Sequence, residues 1–124
     1  LYTVAYIDPI TKIGNETYFK ENATHFLQTN TKTKYIIALD INKFKALNNI
    51  YGFEFCNKIL EALAVKLNII LPESNITCRI SNDVFATIFS YQKDIETLLN
   101  KIFHDASNLK IGNTSLHVNL SIGV

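Results

Sequence analysis

RISNDVFATIF, residues 79–89, holds two strand-like segments on either side of a short polar gap. Such a gap between alternating or apolar runs predicts a β-hairpin. The turn carries one acid, Asp83, followed by Val84 where a catalytic hairpin would carry a second. The stretch therefore reads either as an active-site hairpin that has lost part of its chemistry or as an ordinary surface turn.

The flanks of the hairpin organise the rest of the chain. Upstream, NITCRIS alternates, with Ile76, Cys78 and Ile80 on one face and Thr77, Arg79 and Ser81 on the other. Before it, EFCNKILEALAVKLNIIL predicts a helix whose Ile59, Leu60, Leu63, Ala64 and Leu67 form one apolar stripe, stopped by Pro72. NKFKALNNIYGF predicts a short helix closed by Gly52, and KYIIALDI a strand buried on both faces. GNETYFKENATHFLQTN predicts an earlier helix, with Tyr18, Phe19, Phe26 and Leu27 on or near one face, ended by the polar run 29–33. Downstream, DIETLLNKIFHDAS predicts a helix capped by Asp94, with Ile95, Leu98, Leu99, Ile102 and Phe103 inward. SLHVNLSIGV predicts one last strand, with Leu116, Val118, Leu120 and Ile122 on a shared face.

Hiding these helix faces against one sheet gives an α/β sandwich. Without its first helix, and with the two central helices counted together, the order is βαββαβ, a ferredoxin-like core with a mainly antiparallel sheet. That order sets the first strand beside the hairpin. Asp40, at the end of the strand, and Asp83, at the turn, then converge at one sheet edge. Two acids beside an exposed carbonyl suit Mg²⁺ carrying a nucleoside triphosphate. The plainer alternative makes Asp40 a helix cap and Asp83 a turn former.

Bulk properties narrow the choices. The chain has 124 residues, is 48% hydrophobic and carries a net charge of +1. It reads as one domain with a real core, cut at both ends from a longer protein. Near-neutral charge gives no electrostatic case for nucleic-acid binding. No run is long enough to span a membrane and no signal peptide is visible. Cys56 and Cys78 make neither a disulfide framework nor a metal spacing, and read as buried free thiols. Sequons at Asn15, Asn22, Asn75 and Asn113 are expected by chance in a chain this rich in Asn. His25, His104 and His117 are scattered without partners at ligand spacing, and Phe85 and Phe89 read as core.

Four ordered blocks make the chain resemble the GGDEF domain, the diguanylate cyclase family, over essentially its whole length. DPITKIGNETYF is similar to the family's opening motif, with Asp8, Thr11, Asn15 and Phe19 matching and Lys12 and Glu16 in place of Gly and Arg. DINKFKALNNIYGFEFCNKIL matches the second motif at Asp40, Phe44, Lys45, Asn48, Tyr51, Gly52 and Leu60. RISNDVF stands at the signature, keeping Arg79, Asp83 and Phe85, and VNLSIGV resembles the strand that follows.

The resemblance implies an enzyme that joins two GTP molecules into cyclic di-GMP across a dimer. It implies a metal site at Asp40, Asp83 and the Ile41 carbonyl. It also implies phosphate contacts at the amides of Lys43 and Phe44, with Lys45 beside them, and a base subsite at Asn48 and Asn57. Against it, Val84 stands where the family has a Glu thought to assist deprotonation of the attacking hydroxyl. Losing a general base costs about 10²–10⁴ in rate. Ser81 and Asn82 replace two glycines, Asn57 an Asp, and Phe53 and Cys56 a His and a Gly. Pro72 and Asn75 stand where many members have the Arg and Asp of an inhibitory product site.

Together these changes imply a degenerate domain without cyclase activity: a regulatory or dimerising module in cyclic-di-GMP signalling, with at most weak binding of Mg²⁺ and GTP. Its partners would be a sensor or cyclic-di-GMP phosphodiesterase domain of the same bacterial protein, or a second copy. Its place would be the cytoplasm, including the cytoplasmic part of a membrane-anchored protein. Two alternatives stay open: a cyclase that works without the Glu, and a protein-interaction scaffold with no ligand.

Overall fold

The structure is a computed structural model describing residues 5–28 and 33–123. The polar run expected to end the first helix lies, but for Thr33, outside the described residues. In chain order the elements are α1 (Glu16–Gln28), β1 (Lys34–Ile41), α2 (Phe44–Tyr51), α3 (Phe53–Ile70), β2 (Asn75–Ser81), β3 (Val84–Ser90), α4 (Ile95–Ser107), β4 (Asn108–Ile111), β5 (Thr114–His117) and β6 (Leu120–Gly123).

Four strands form an antiparallel sheet in the order β2-β3-β1-β6. This is the ferredoxin-like arrangement. The register keeps Ile37, Leu39 and Ile41 of β1 on the same core face as Phe85 and Phe89 of β3, and a one-residue slip would turn one of these sets away from it. Leu39 lies opposite Phe85, and Ile37 opposite Thr87. These residues face the buried stripe of α3 (Ile59, Leu60, Leu63, Ala64 and Leu67) and Leu98 and Ile102 of α4. Each fully buried Leu, Ile or Phe there contributes about 1.5–3 kcal/mol of transfer free energy. Thr87 enters this core without penalty because its hydroxyl meets that of Thr77 at 2.7 Å.

The second face of the sheet is covered in part by α1 and the loop before it. Cys78 of β2 sits under Gly14, where an added Cβ would come within 2.8 Å of its sulfur. Burial pushes the Cys78 thiol up to about 12, so it stays protonated at neutral pH. The same loop closes the outer edge of the sheet: the Arg79 amide donates to the Gly14 carbonyl at 2.9 Å.

Four expectations are corrected. β1 is not buried on both faces: Ile37, Leu39 and Ile41 are buried, but Ile36 on the other face is 48% exposed. The final run is not one strand. Its first half, β5, pairs with β4 in a separate two-stranded sheet, and only β6 joins the main sheet. The break falls at Val118 and Asn119, whose backbone bonds go to Ser107 and Asn42 instead. Phe103 is not inward but 49% exposed, because the buried stripe of α4 runs through Leu98, Ile102 and Ala106. Leu27 is 48% exposed, the inward side of α1 being centred on buried Ala23.

The helix ends follow local chemistry. Asp94 caps α4, accepting from the Glu96 amide and the Thr97 hydroxyl. The Asn15 carboxamide oxygen accepts the Tyr18 amide at the start of α1.

Candidate nucleotide site

Gly52 joins α2 to α3 with φ +85, a conformation that other residues adopt only under strain. Its amide donates to the Asn48 carbonyl, and this corner brings two consecutive helices to the mouth of one cavity. The cavity holds about 740 Å³. Asn48 and Asn49 of α2, and Phe53 and Asn57 of α3, line it together with Phe44 and Lys45 at the start of α2. Asp83 and Asn82 of the hairpin turn stand on its far side.

One amide group of this cavity is not used by the fold. Asn48 Oδ1 is buried and has no hydrogen-bond partner. Phe53 is 75% exposed, an aromatic face left at the opening. Lys43 precedes α2 at φ 58 with no side-chain cap, so the helix begins on a left-handed residue that is not glycine.

Asp40 lies elsewhere. Its Cα partner across β1 and β3 is Val84, and directly opposed residues share a face of the sheet. Asp40, Val84 and Ser121 surround a separate depression of about 350 Å³. The hairpin thus brings Asp40 within one chain position of Asp83 in register, while the two acids line different depressions. Ile41 ends β1 opposite Leu120. Beyond it, the Ser121 hydroxyl donates to Asn42 Oδ1 at 2.6 Å and ties this strand end to β6.

The tip itself is built without glycine. Ser81 pairs with Val84, Arg79 pairs with Phe85, and Ile80 is left as a bulge between them. Among the described residues, the only non-glycine positive φ values are those of Lys12 and Lys43, so Ser81 and Asn82 occupy the turn without left-handed strain. Lys12, at φ 66, carries that strain instead.

One polar cluster at the hairpin escaped the sequence reading. Arg79 Nη1 donates to both oxygens of Asp8 at 3.1 and 3.3 Å, while Nε and Nη2 donate to the Asn82 carbonyl. Asp8 Oδ2 also accepts the Thr11 amide and hydroxyl. Burial alone would raise the Asp8 pKa, but the Thr11 bonds and then the Arg79 charge outweigh it and hold it below the usual carboxylate value. Asp8 and Thr11, three residues apart, were the legible half of this brace; Arg79 is 71 positions from Asp8.

The remaining candidates sit apart. Asn75 is spent locally, donating to the Pro72 carbonyl and accepting from Thr77. His104 bonds its neighbour Asp105, and His117 bonds Asn108. Among the described residues no three His, Cys, Asp or Glu side chains gather as a metal-binding group, and no helix is long and apolar enough to cross a membrane.

The chain thus presents a ferredoxin-like antiparallel sheet with a cavity beside the tip of its central hairpin, lined in part by Asn side chains. The family model "Diguanylate cyclase, GGDEF domain" matches residues 5–124, and the chain belongs to that family. It is 24% identical to the signaling protein YkoW of Bacillus subtilis, over the whole of this chain but 16% of that protein. It is 28% identical to the protein y4lL of Sinorhizobium fredii, over 71% of this chain and 11% of that one. The chain therefore spans under a fifth of either relative.

Among solved structures, a diguanylate cyclase/phosphodiesterase from Caldicellulosiruptor saccharolyticus superposes with a TM-score of 0.85 at 20% identity, over 98% of this chain and 76% of that one. The FimX GGDEF domain of Pseudomonas aeruginosa gives 0.82 at 20%, over 95% and 77%. Vibrio cholerae LapD, an S helix-GGDEF-EAL protein bound to c-di-GMP, gives 0.79 at 23%, over 98% and 29%. At these identities the likeness establishes the fold.

Proposed function

We propose that this GGDEF domain is catalytically silent and serves as a regulatory or dimerising module of a longer signalling protein. The observation that carries the reading is the pairing of Asp40 with Val84. An isopropyl group stands directly across from the one acid of β1, and it can neither bind a cation nor accept a proton.

The donors that remain are the Asp83 carboxylate at the cavity rim and, at the end of β1 beside a neighbouring depression, the Asp40 carboxylate and the Ile41 carbonyl. They fit Mg²⁺ only as the protein's share of a metal–triphosphate, because Mg²⁺ is held by one or two carboxylates plus phosphates. When bound, the ion would neutralise phosphate charge. The amides of Lys43 and Phe44 open α2 where a terminal phosphate would meet them, with the Lys45 ammonium lining the cavity beside them. Asn48 and Asn57 would hold the base. Binding of this kind can report nucleotide levels without turnover.

The whole span described belongs to a single domain of a multidomain, cytoplasmic protein. The small share of YkoW and y4lL that it matches supports the multidomain part of this reading. A cyclic-di-GMP phosphodiesterase or sensor domain in the same chain is the natural recipient of its signal, as is a second copy of the domain. The domain pairings named for the Caldicellulosiruptor protein and LapD support the first of these.

The test is incubation with labelled GTP and Mg²⁺ followed by separation of products. The expected result is no cyclic dinucleotide; its formation would overturn the reading in favour of a cyclase working without the second acid. Calorimetric titration of GTP with Mg²⁺ should show weak heat that is reduced in Asp83→Ala. No heat at all would reduce the domain to a ligand-free scaffold.

A further inference from the structure

A run of neighbours in the chain, from Leu109 to Gly112, lines a groove of about 560 Å³ beside α3. Successive strand residues point to opposite faces, so a groove touched by such a run meets the strand at its backbone edge. Among the described residues β4 pairs with β5 alone. Its other edge therefore carries main-chain N–H and C=O groups that no strand takes up. The opposite wall is the outer stripe of α3. Val65 is 61% and Ile69 72% exposed there, beside Lys58, Glu61 and Lys66. These residues recur at helical spacing, next to the stripe that fills the core.

We propose that this groove docks an extended acidic segment of a partner protein, which adds to the free edge of β4 as a third strand and lies along α3. The groove shares no lining residue with the hairpin cavity, so the proposal goes beyond the nucleotide reading and does not rest on it.

Charge selects the occupant. Lys58, Lys66 and Lys110 line the groove against a single acid, Glu61. None of the four enters an ion pair among the described residues. Asp105 of α4 feels Lys66, but it feels Lys101 as well, so the rim stays basic. A second copy laid edge to edge would bring the same lysines together, and like charges opposed across a ladder are unfavourable. Lysine on an edge strand discourages such self-pairing. An acidic segment reverses the sign and is drawn in by the same lysines.

The strand period then fixes the pattern of the segment. Its inward side chains would be apolar, meeting Val65, Ile69 and Ile111, while its outward carboxylates would stand beside Lys110. From Lys58 to Ile69 the α3 wall runs about 16 Å at 1.5 Å per residue. That is the length of about five extended residues.

The probe is a fluorescein-labelled octapeptide alternating valine and glutamate, titrated with the full chain and read by anisotropy. A saturable rise at submillimolar protein is expected, weakening as salt is raised. The same peptide with lysine for every glutamate should not bind. Alternate amides of a strand face the same edge, so methylating one alternate set of amide nitrogens should weaken binding about tenfold, and methylating the other should not. Lys110→Glu and Ile69→Ser, both at exposed positions, should each weaken it severalfold, with circular dichroism confirming that the variants are folded. No saturable binding overturns the proposal. So do equal binding of the lysine peptide, indifference to methylation of either set, and affinity unmoved by both variants. A dimer of the chain in sedimentation that Lys110→Glu strengthens or dissolves would give the groove to a second copy and overturn it likewise. Nucleotide titration reads the other cavity, so either claim can fail while the other stands.

Discussion

Two polar clusters flank the same hairpin, and they are finished to different degrees. On one side, Asp8, Thr11, Arg79 and the Asn82 carbonyl saturate one another. On the other, Asn48 keeps a buried oxygen without a partner beside Asn57 in an open cavity. A saturated cluster has nothing left for a ligand and contributes to folding. An unsaturated one costs stability in the free protein and recovers it when something binds. Residues that match a family motif therefore divide into those that brace the fold and those that face a ligand, and hydrogen-bond accounting separates them where the motif alone does not.

The largest expected effect lies in the brace. Arg79→Ala should destabilise by about 2–3 kcal/mol, because it strands the half-buried Asp8 carboxylate and frees the turn carbonyl. Urea unfolding midpoints measure this. A loss under about 0.5 kcal/mol would erase the contrast between the clusters.

Asp8→Asn comes next, at about 1–2 kcal/mol at pH 7. Its pH dependence has a definite sign. The Asp8 pKa is lowered in the folded protein, so its contribution is complete above the ordinary carboxylate range near pH 4. It is lost as the pH falls through the lower folded value. Wild type should lose more stability than Asp8→Asn between pH 5 and the acid limit, and equal slopes in paired urea titrations would count against the brace.

The middle of the hairpin gives a smaller effect. Val84→Glu would set a carboxylate directly opposite Asp40, where like charges repel by up to about 1 kcal/mol. The variant should be destabilised without divalent cation and regain stability as Mg²⁺ is added, while wild type without nucleotide should not respond. Thermal melts with and without Mg²⁺ compare the two.

The smallest effect belongs to the cavity. Asn48→Leu removes an unpartnered oxygen rather than a bond, so stability should change by less than about 0.5 kcal/mol or rise slightly, while Mg²⁺–nucleotide binding weakens severalfold. Parallel unfolding and titration measurements would reveal the opposite pattern if the amide were structural.

Much of this was legible from residues alone. The apolar stripe of α3 from Ile59 to Leu67 and the alternation from Ile76 to Arg79 carry their periods openly, because burial acts on every turn or every second residue. The nearness of Asp40 to the hairpin followed from strand order. Other features left no periodic trace. Leu116, Val118, Leu120 and Ile122 keep one parity across the break between β5 and β6, so a single strand and two strands look the same. Phe103 is apolar but one step off the inward stripe of α4. The partition of Asp40 and Asp83 between two depressions depends on which way a turn residue points, which spacing does not encode. The Asp8–Arg79 pair spans 71 positions, beyond any local signal.

The unpaired Ile80 has a wider consequence for how this tip can change. An extra residue on one arm lets the turn lie out of phase with the strand beneath it, like a joint that absorbs misalignment. The letters at 81–83 can then drift while Arg79 and Phe85 stay aligned across the ladder. A tip insulated in this way can lose its chemistry one substitution at a time without the sheet registering the loss.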